Sequence, residues 1–252
     1  MSIELNIGLV LPDVLGTYGD DGNALVLRQR ARLRGWKAEF HPINLGDPIP
    51  ETMDLYTVGG GEDTAQILAA DRLLQYPGLT RAAQAGRPIF AVCAGLQVLG
   101  ESFRASGRVV DGLGLIDATT SPLAERAIGE VASIPTGVGF TAGLTEPLTG
   151  FENHLGATIL GSSAQPLGTV TRGTGNSDEA ATFDLRDGKT QRHGEGAVQG
   201  SVIATYMHGP CLARNPQLAD LLLAKATGQT LEDLEPLDLP AIEQLRAERL
   251  RS

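Results

Sequence analysis

The chain has 252 residues, enough to bury a full hydrophobic core as one large domain or two small ones. A composition of 42% hydrophobic and 20% charged residues excludes wholesale disorder. The formal net charge of -10 repels phosphate backbones and disfavours nucleic acid as a partner.

No apolar run approaches the roughly 20 residues that cross a bilayer. The N-terminal Met-Ser-Ile-Glu-Leu-Asn-Ile has no basic region leading into an apolar stretch, so no secretory signal is read and a cytoplasmic protein is expected. Two cysteines, Cys93 and Cys211, are too few for a disulfide framework or a four-cysteine zinc site.

In chain order, Leu5 to Leu11 reads as a short apolar strand stopped by Pro12-Asp13. A Gly/Asp-rich loop follows, Gly16-Thr-Tyr-Gly-Asp-Asp-Gly-Asn23. Leu25, Val26, Leu27 and Leu33 give Ala24 to Leu33 helical spacing, ending near Gly35. Trp36 to Pro42 and Asp54 to Val58 read as strands, the second running into Gly59-Gly60-Gly61. Thr64 to Leu74 is helical, and Leu79 to Ala85 is a further helix ended by Gly86. Pro88 to Val92 is a compact buried strand, and Ala94 to Phe103 resumes as helix. Strands alternating with helices in this way predict an α/β fold with a doubly wound, mostly parallel sheet.

From about Gly107 to Val202 the chain is rich in Gly, Thr, Ser and Pro, which predicts short, partly antiparallel strands and long loops added to that sheet. Val202 to Tyr206 is the next buried strand, Pro216 to Ala226 is helical, and an amphipathic helix spans roughly Leu239 to Arg251. No internal repeat or interdomain linker is visible. The expected organisation is one domain over residues 1–230 with a C-terminal helical extension over 231–252.

The sharpest local feature is Ala91-Val92-Cys93-Ala94-Gly95-Leu96-Gln97, lying between a strand and a helix. A nucleophile elbow needs a tight strand-to-helix turn, with small residues two places either side of the nucleophile. Ala91 and Gly95 supply them. The helix N-terminus offers a positive dipole end and free N–H groups, which favour a thiolate and a developing oxyanion. An isolated cysteine would read as core filler; this frame points to a nucleophile.

The candidate bases are His41, His154, His193 and His208. His208 follows the strand Val202 to Tyr206, and catalytic groups of open parallel sheets gather at the carboxyl ends of strands, where Cys93 also lies. His154 is the second candidate and could line the pocket instead. Three glycines ending the strand beside the cysteine strand let backbone N–H groups approach a negative oxygen, so Gly60 and Gly61 are candidates for an oxyanion hole. Gly188-Lys189-Thr190 resembles the end of a phosphate loop, but Phe183 stands where the first glycine should be and no nucleotide site is expected. His208 and Cys211 lack a second pair of ligands, so no metal is expected.

The elbow with Gln97 four places beyond the cysteine, the Gly triplet and the late histidine resemble the class I, triad-type glutamine amidotransferases. Gly150-Phe-Glu-Asn-His154-x-Gly156-x-Thr158 and Tyr206-x-His208-Gly209 resemble the branch containing cobyric acid synthase. The early loop, with Leu11-Pro-Asp13, looks most like the GatD family, glutaminase subunits of lipid II isoglutaminyl synthase.

That resemblance implies a flavodoxin-like sheet with Cys93 as nucleophile and His208 as general base and acid. It also implies an oxyanion hole from Gly60 or Gly61 with Ala94, and Gln97 placing the substrate. Arg126, in Glu125-Arg-Ala-Ile-Gly129, matches the family's glutamine-binding arginine. Most triad amidotransferases carry His-x-Glu, whereas Pro210 stands two places beyond His208 here. The resemblance therefore implies that the acidic third member comes from a Mur-ligase-like partner, MurT, which would also bind ATP and Mg. The ammonia acceptor would be the D-glutamate α-carboxylate of lipid II, amidated to D-isoglutamine.

Three alternatives are weighed. Corrinoid amidation would normally place an ATP-binding synthetase domain on the same chain, and none is expected within these 252 residues. Intact Cys93 and His208 argue against a non-catalytic regulatory module. A DJ-1/PfpI-type hydrolase normally has a histidine directly after its nucleophile, where Ala94 stands here.

Overall fold

The computed structural model describes residues 3–177 and 194–251. Gly188-Lys189-Thr190 and His193 lie outside the described residues.

The first half alternates as expected. β1 (Glu4–Val10) is followed by α1 (Pro12–Leu15), α2 (Gly22–Leu33), β2 (Lys37–Ile43) and β3 (Leu55–Val58). Then come α3 (Asp63–Gln75), α4 (Gly78–Gln84), β4 (Ile89–Val92) and α5 (Ala94–Leu99). β3 and β4 are buried along their whole length, as strands covered by helices on both faces must be. β2, at the sheet's edge, buries only part of its length.

Helix α5 stops at Leu99, not at Phe103. Gly100 is already extended, and a Cβ there would stand 2.8 Å from the Ala118 carbonyl oxygen. The chain goes straight into β5 (Ser102–Ala105), where Phe103 and Ala105 point inward and Arg104 outward. The alternation of a strand, over only four residues, displaces the helical spacing read from the sequence.

The second half also departs from short strands. After β6 (Arg108–Asp111) come β7 (Ala118–Pro135), of 18 residues, and β8 (Leu148–Leu160), of 13, paired as a long antiparallel hairpin. The pairing breaks register between Pro122 and Ala127. Such a bulge turns the local strand and re-aims its side chains; Arg126 lies in it. β9 (Gly168–Arg172), β10 (Gly194–Glu195), β11 (Ala197–Gln199) and β12 (Val202–Thr205) follow, then α6 (Cys211–Arg214), α7 (Pro216–Ala226) and α8 (Pro240–Arg251).

These strands form two sheets. One runs β11-β12-β4-β3-β1-β2, parallel except for β11 against β12. The other runs β10-β9-β7-β5-β6 with β8 beside β7, and is mainly antiparallel. One hydrophobic cluster takes in Phe90 of the first sheet, Phe103 and Val131 of the second, and Leu223 of α7. Helix α8 does not bury an apolar stripe: Leu245 is exposed, and Arg246 is its buried side chain, bonded to the Pro147 carbonyl and 3.1 Å from Glu146. Among the described residues no helix is long and apolar enough to cross a membrane.

Candidate active site

β4 lies between β12 and β3, with Ala91 in register with Ala204 and Val58. The chain leaves it through Cys93, at φ 54° and ψ -107°, and enters α5 at once. A non-glycine residue in such a region costs about 1–3 kcal/mol and persists only where its surroundings hold it. Here the Cys93 N–H donates to the Thr205 carbonyl at 2.8 Å. Gly95 lets the helix start this close, because a Cβ there would stand 3.0 Å from the carbonyl oxygens of Val58 and Gly59. Cys93 is 6% exposed, a thiol at the floor of a cleft.

His208 comes three residues after β12. Its backbone is pinned to β8: the His208 N–H donates to the Phe151 carbonyl at 2.9 Å, and the Phe151 N–H returns a bond at 3.1 Å. On its Nδ1 side stand both carboxylate oxygens of Asp20, at 3.0 and 3.1 Å. Burial by itself would pull this imidazole down. Its hydrogen bonds with Asp20 and with Cys93, and the charges of both, outweigh burial and raise it to about 10. Nδ1 is taken by Asp20, which leaves Nε2 as the ring nitrogen through which His208 and Cys93 influence each other.

Gly60 sits where these three groups meet. A Cβ there would lie 3.1 Å from Asp20 Oδ2, 3.2 Å from His208 Cε1 and 3.3 Å from Cys93 Cβ. Its N–H donates to Asp20 Oδ2 at 3.1 Å. The sequence made Gly60 a candidate oxyanion donor; that donor is committed to a carboxylate, and Gly60 is corrected to a close-approach residue. Gly61 and Ala94 remain, and both line the cavity beside Cys93.

That cavity has a volume of about 290 Å³, room for one amino acid rather than a peptide. Arg126 lines it from the β7 bulge, its Nε–H donating to Asn153 Oδ1 at 2.8 Å. Tyr18 and Glu62 line another part, joined by a short hydrogen bond from the phenol to the carboxylate. The sequence did not single out these two. Gln97 and His154 also line the cavity, but both are tied into its wall. Gln97 donates to the Tyr206 hydroxyl at 3.0 Å and accepts a short bond from Gln66. His154 donates from Nδ1 to the Gly156 carbonyl at 2.9 Å and stacks on Tyr206 at 3.7 Å.

Cys211 is fully buried, its thiol pushed up by burial. His41 is on β2, Nε2 2.9 Å from Asn6 Oδ1. Among the described residues no group of three His, Cys, Asp or Glu is placed to hold a metal ion.

Comparison with known proteins decides what kind of elbow this is. The CobB/CobQ-like glutamine amidotransferase domain matches residues 6–216. The chain belongs to this family. Among similar proteins is the Staphylococcus aureus lipid II isoglutaminyl synthase (glutamine-hydrolyzing) subunit GatD, 33% identical over 98% of this chain and 94% of that one. The Streptococcus pneumoniae subunit of the same name is 31% identical, over 98% and 89% of the two chains. The fold resembles the glutaminase domain of Trypanosoma brucei CTPS, with a TM-score of 0.53 and 11% identity over 89% of this chain and 94% of that domain. The sequence looked to another chain for the acid, because Pro210 stands at the His-x-Glu position. In the fold, Asp20 already occupies the Nδ1 side of His208.

Proposed function

We propose that this amidotransferase is the glutaminase subunit of a lipid II isoglutaminyl synthase, hydrolysing L-glutamine to L-glutamate and ammonia. The observation that carries this reading is the strained Cys93 elbow against His208, on a chain similar to two GatD subunits along nearly its whole length.

His208 Nε2 takes the Cys93 proton, and the thiolate attacks the glutamine side-chain amide carbon. The C–S bond forms as the carbonyl oxygen becomes an oxyanion, received by the N–H groups of Gly61 and Ala94. The C–N bond then breaks, and His208 gives its proton to the departing ammonia. Water, deprotonated by His208, opens the thioester; glutamate leaves and the thiol is restored. Arg126 receives the substrate α-carboxylate with a planar fork of donors. Gln97, held by Gln66 and Tyr206, shapes the wall rather than reaching out, and stacked His154 supports that wall.

The ammonia goes to a cytoplasmic Mur-ligase-like partner of the MurT type, forming a heterodimer. ATP and Mg belong to that subunit, which activates the D-glutamate α-carboxylate of lipid II. Corrinoid amidation remains the alternative acceptor reading. The test is ammonia release from L-glutamine, alone and with the partner, followed by labelling with a glutamine-like chloroketone and peptide mass mapping. An adduct on Cys93 with matching loss of ammonia supports the reading; an adduct on Cys211, or none, overturns it. Amidation of lipid II in the reconstituted pair, and not of a corrinoid acid, selects the acceptor.

A further inference from the structure

We infer that Asp20 is the positioning carboxylate of His208, so that the orienting acid of this site is supplied in cis, from a loop 188 residues away in sequence. The inference rests on the glutaminase reading above. It begins with how firmly the carboxylate is held. Asp20 is 2% exposed, in the loop between α1 and α2. Its backbone carbonyl accepts from the Asn23 N–H and side-chain amide, both at 2.9 Å. Asn23 Oδ1 in turn accepts from the Leu212 N–H at 2.9 Å, four residues beyond His208. The loop carrying the acid and the segment carrying the base are thus stitched together.

The chemistry follows from the geometry. A carboxylate on Nδ1 accepts its proton and fixes the tautomer, leaving the Nε2 lone pair for the Cys93 proton. When Nε2 is protonated, the same carboxylate stabilises the imidazolium without taking a proton itself. Oδ2 also accepts from Gly60, so one buried group sets both the ring's orientation and the path of the backbone entering the oxyanion loop. Pro210 leaves no acid at the usual place, and Asp20 fills the same role from the other end of the chain.

The test uses Asp20→Asn, Asp20→Glu and Cys93→Ser in the full chain, alone and with its partner, with L-glutamine as substrate. Asn keeps the shape but can offer an N–H to Nδ1 and turn the tautomer. We expect kcat to fall by about 10²–10⁴-fold in both settings with KM nearly unchanged, the pattern of a misoriented base. Asp20→Glu, which keeps the charge, recovers at least part of that loss. In ¹⁵N-resolved NMR the His208 Nδ1–H signature present in the parent disappears in Asp20→Asn and returns in Asp20→Glu. Wild-type kcat in Asp20→Asn, with or only with the partner, would overturn the inference, since the partner's acid would then suffice. So would a His208 resonance that Asp20→Asn leaves unmoved; the comparison is made on variants whose circular dichroism and thermal melts match the parent, so that a lost signal reports on Asp20 and not on misfolding. If the parent releases no more ammonia than Cys93→Ser in either setting, the glutaminase reading fails instead, while the NMR comparison still decides the role of Asp20.

Discussion

Glu195 is the place where pH and stability meet in this fold. Its carboxyl is completely buried on β10; one oxygen accepts from the Thr205 hydroxyl at 2.5 Å and the Tyr206 N–H at 2.9 Å, while the other has no partner. Burial pushes it up to about 7, with the nearby Glu152 carboxylate adding to the effect and the two hydrogen bonds opposing it. The sign follows from proton uptake. The folded state holds this proton between about pH 4.5 and 7 where the unfolded chain has released it, so folding stability falls as pH rises through that window and levels off above it. A rise of that size corresponds to roughly 3 kcal/mol as a ceiling, at about 1.4 kcal/mol per unit. Glu195→Gln keeps the acceptor oxygen for Thr205 and Tyr206 and removes the charge. The variant should match the parent near pH 5 and become the more stable protein by pH 8. At roughly 2–4 °C per kcal/mol, the gap in Tm should open to as much as about 10 °C. Thermal melts of both proteins followed by circular dichroism at pH 5, 6, 7 and 8 measure it. Parallel Tm curves across that range would refute the reasoning, because the buried charge would then not be what the parent loses.

Two further outcomes follow from the site. Cys93→Gly should be more stable than Cys93→Ala by about 1 kcal/mol in urea unfolding, since both lose the thiol but only glycine relaxes φ 54°. This reverses the ordinary Ala-over-Gly order, and a more stable alanine variant would mean the elbow stores no strain. Arg126→Ala should raise the KM for glutamine by about 10–100-fold with kcat within a few-fold, as expected for losing a charged hydrogen bond to a carboxylate. Its exposed position predicts an unchanged Tm, and Arg126→Lys should recover little because the planar fork is lost. A kcat loss with KM unmoved would place Arg126 outside substrate binding.

Much of the parallel sheet was legible because its signals are local. Ile89 to Val92 is a run of four apolar residues, and such a run between a turn and a small-x-Cys-x-small frame has few other structures open to it. The antiparallel half was harder. β7 mixes Thr, Ser, Glu, Arg, Gly and Pro, and it is held by pairing with β8 rather than by its own pattern. Sequence alone read that stretch as short pieces. The end of α5 was misread for a related reason: what stops the helix is the Ala118 carbonyl packed against Gly100, a contact with residues beyond the window that periodicity inspects.

The same distinction separates the parts of the site. Cys93 announces itself because an elbow imposes small neighbours within two residues on either side. Asp20 imposes nothing on its neighbours in sequence. It stands in a Gly/Asp-rich stretch that reads as a turn, and Asp21 beside it offers the same side chain with no contact to His208 among the described hydrogen bonds. Only the stacking of β1, β3, β4 and β12 brings the α1–α2 loop, in the connection that leaves β1, to the carboxyl end of β12, beside His208. In a parallel sheet the ends of successive strands share one edge, so a residue's role depends on which strand it follows more than on what flanks it. An acid searched for two residues beyond His208 is therefore searched for in the wrong dimension. The spatial neighbours of that histidine come from the connections that follow other strands, and the loop between α1 and α2 brings Asp20 to 3.0 Å from it.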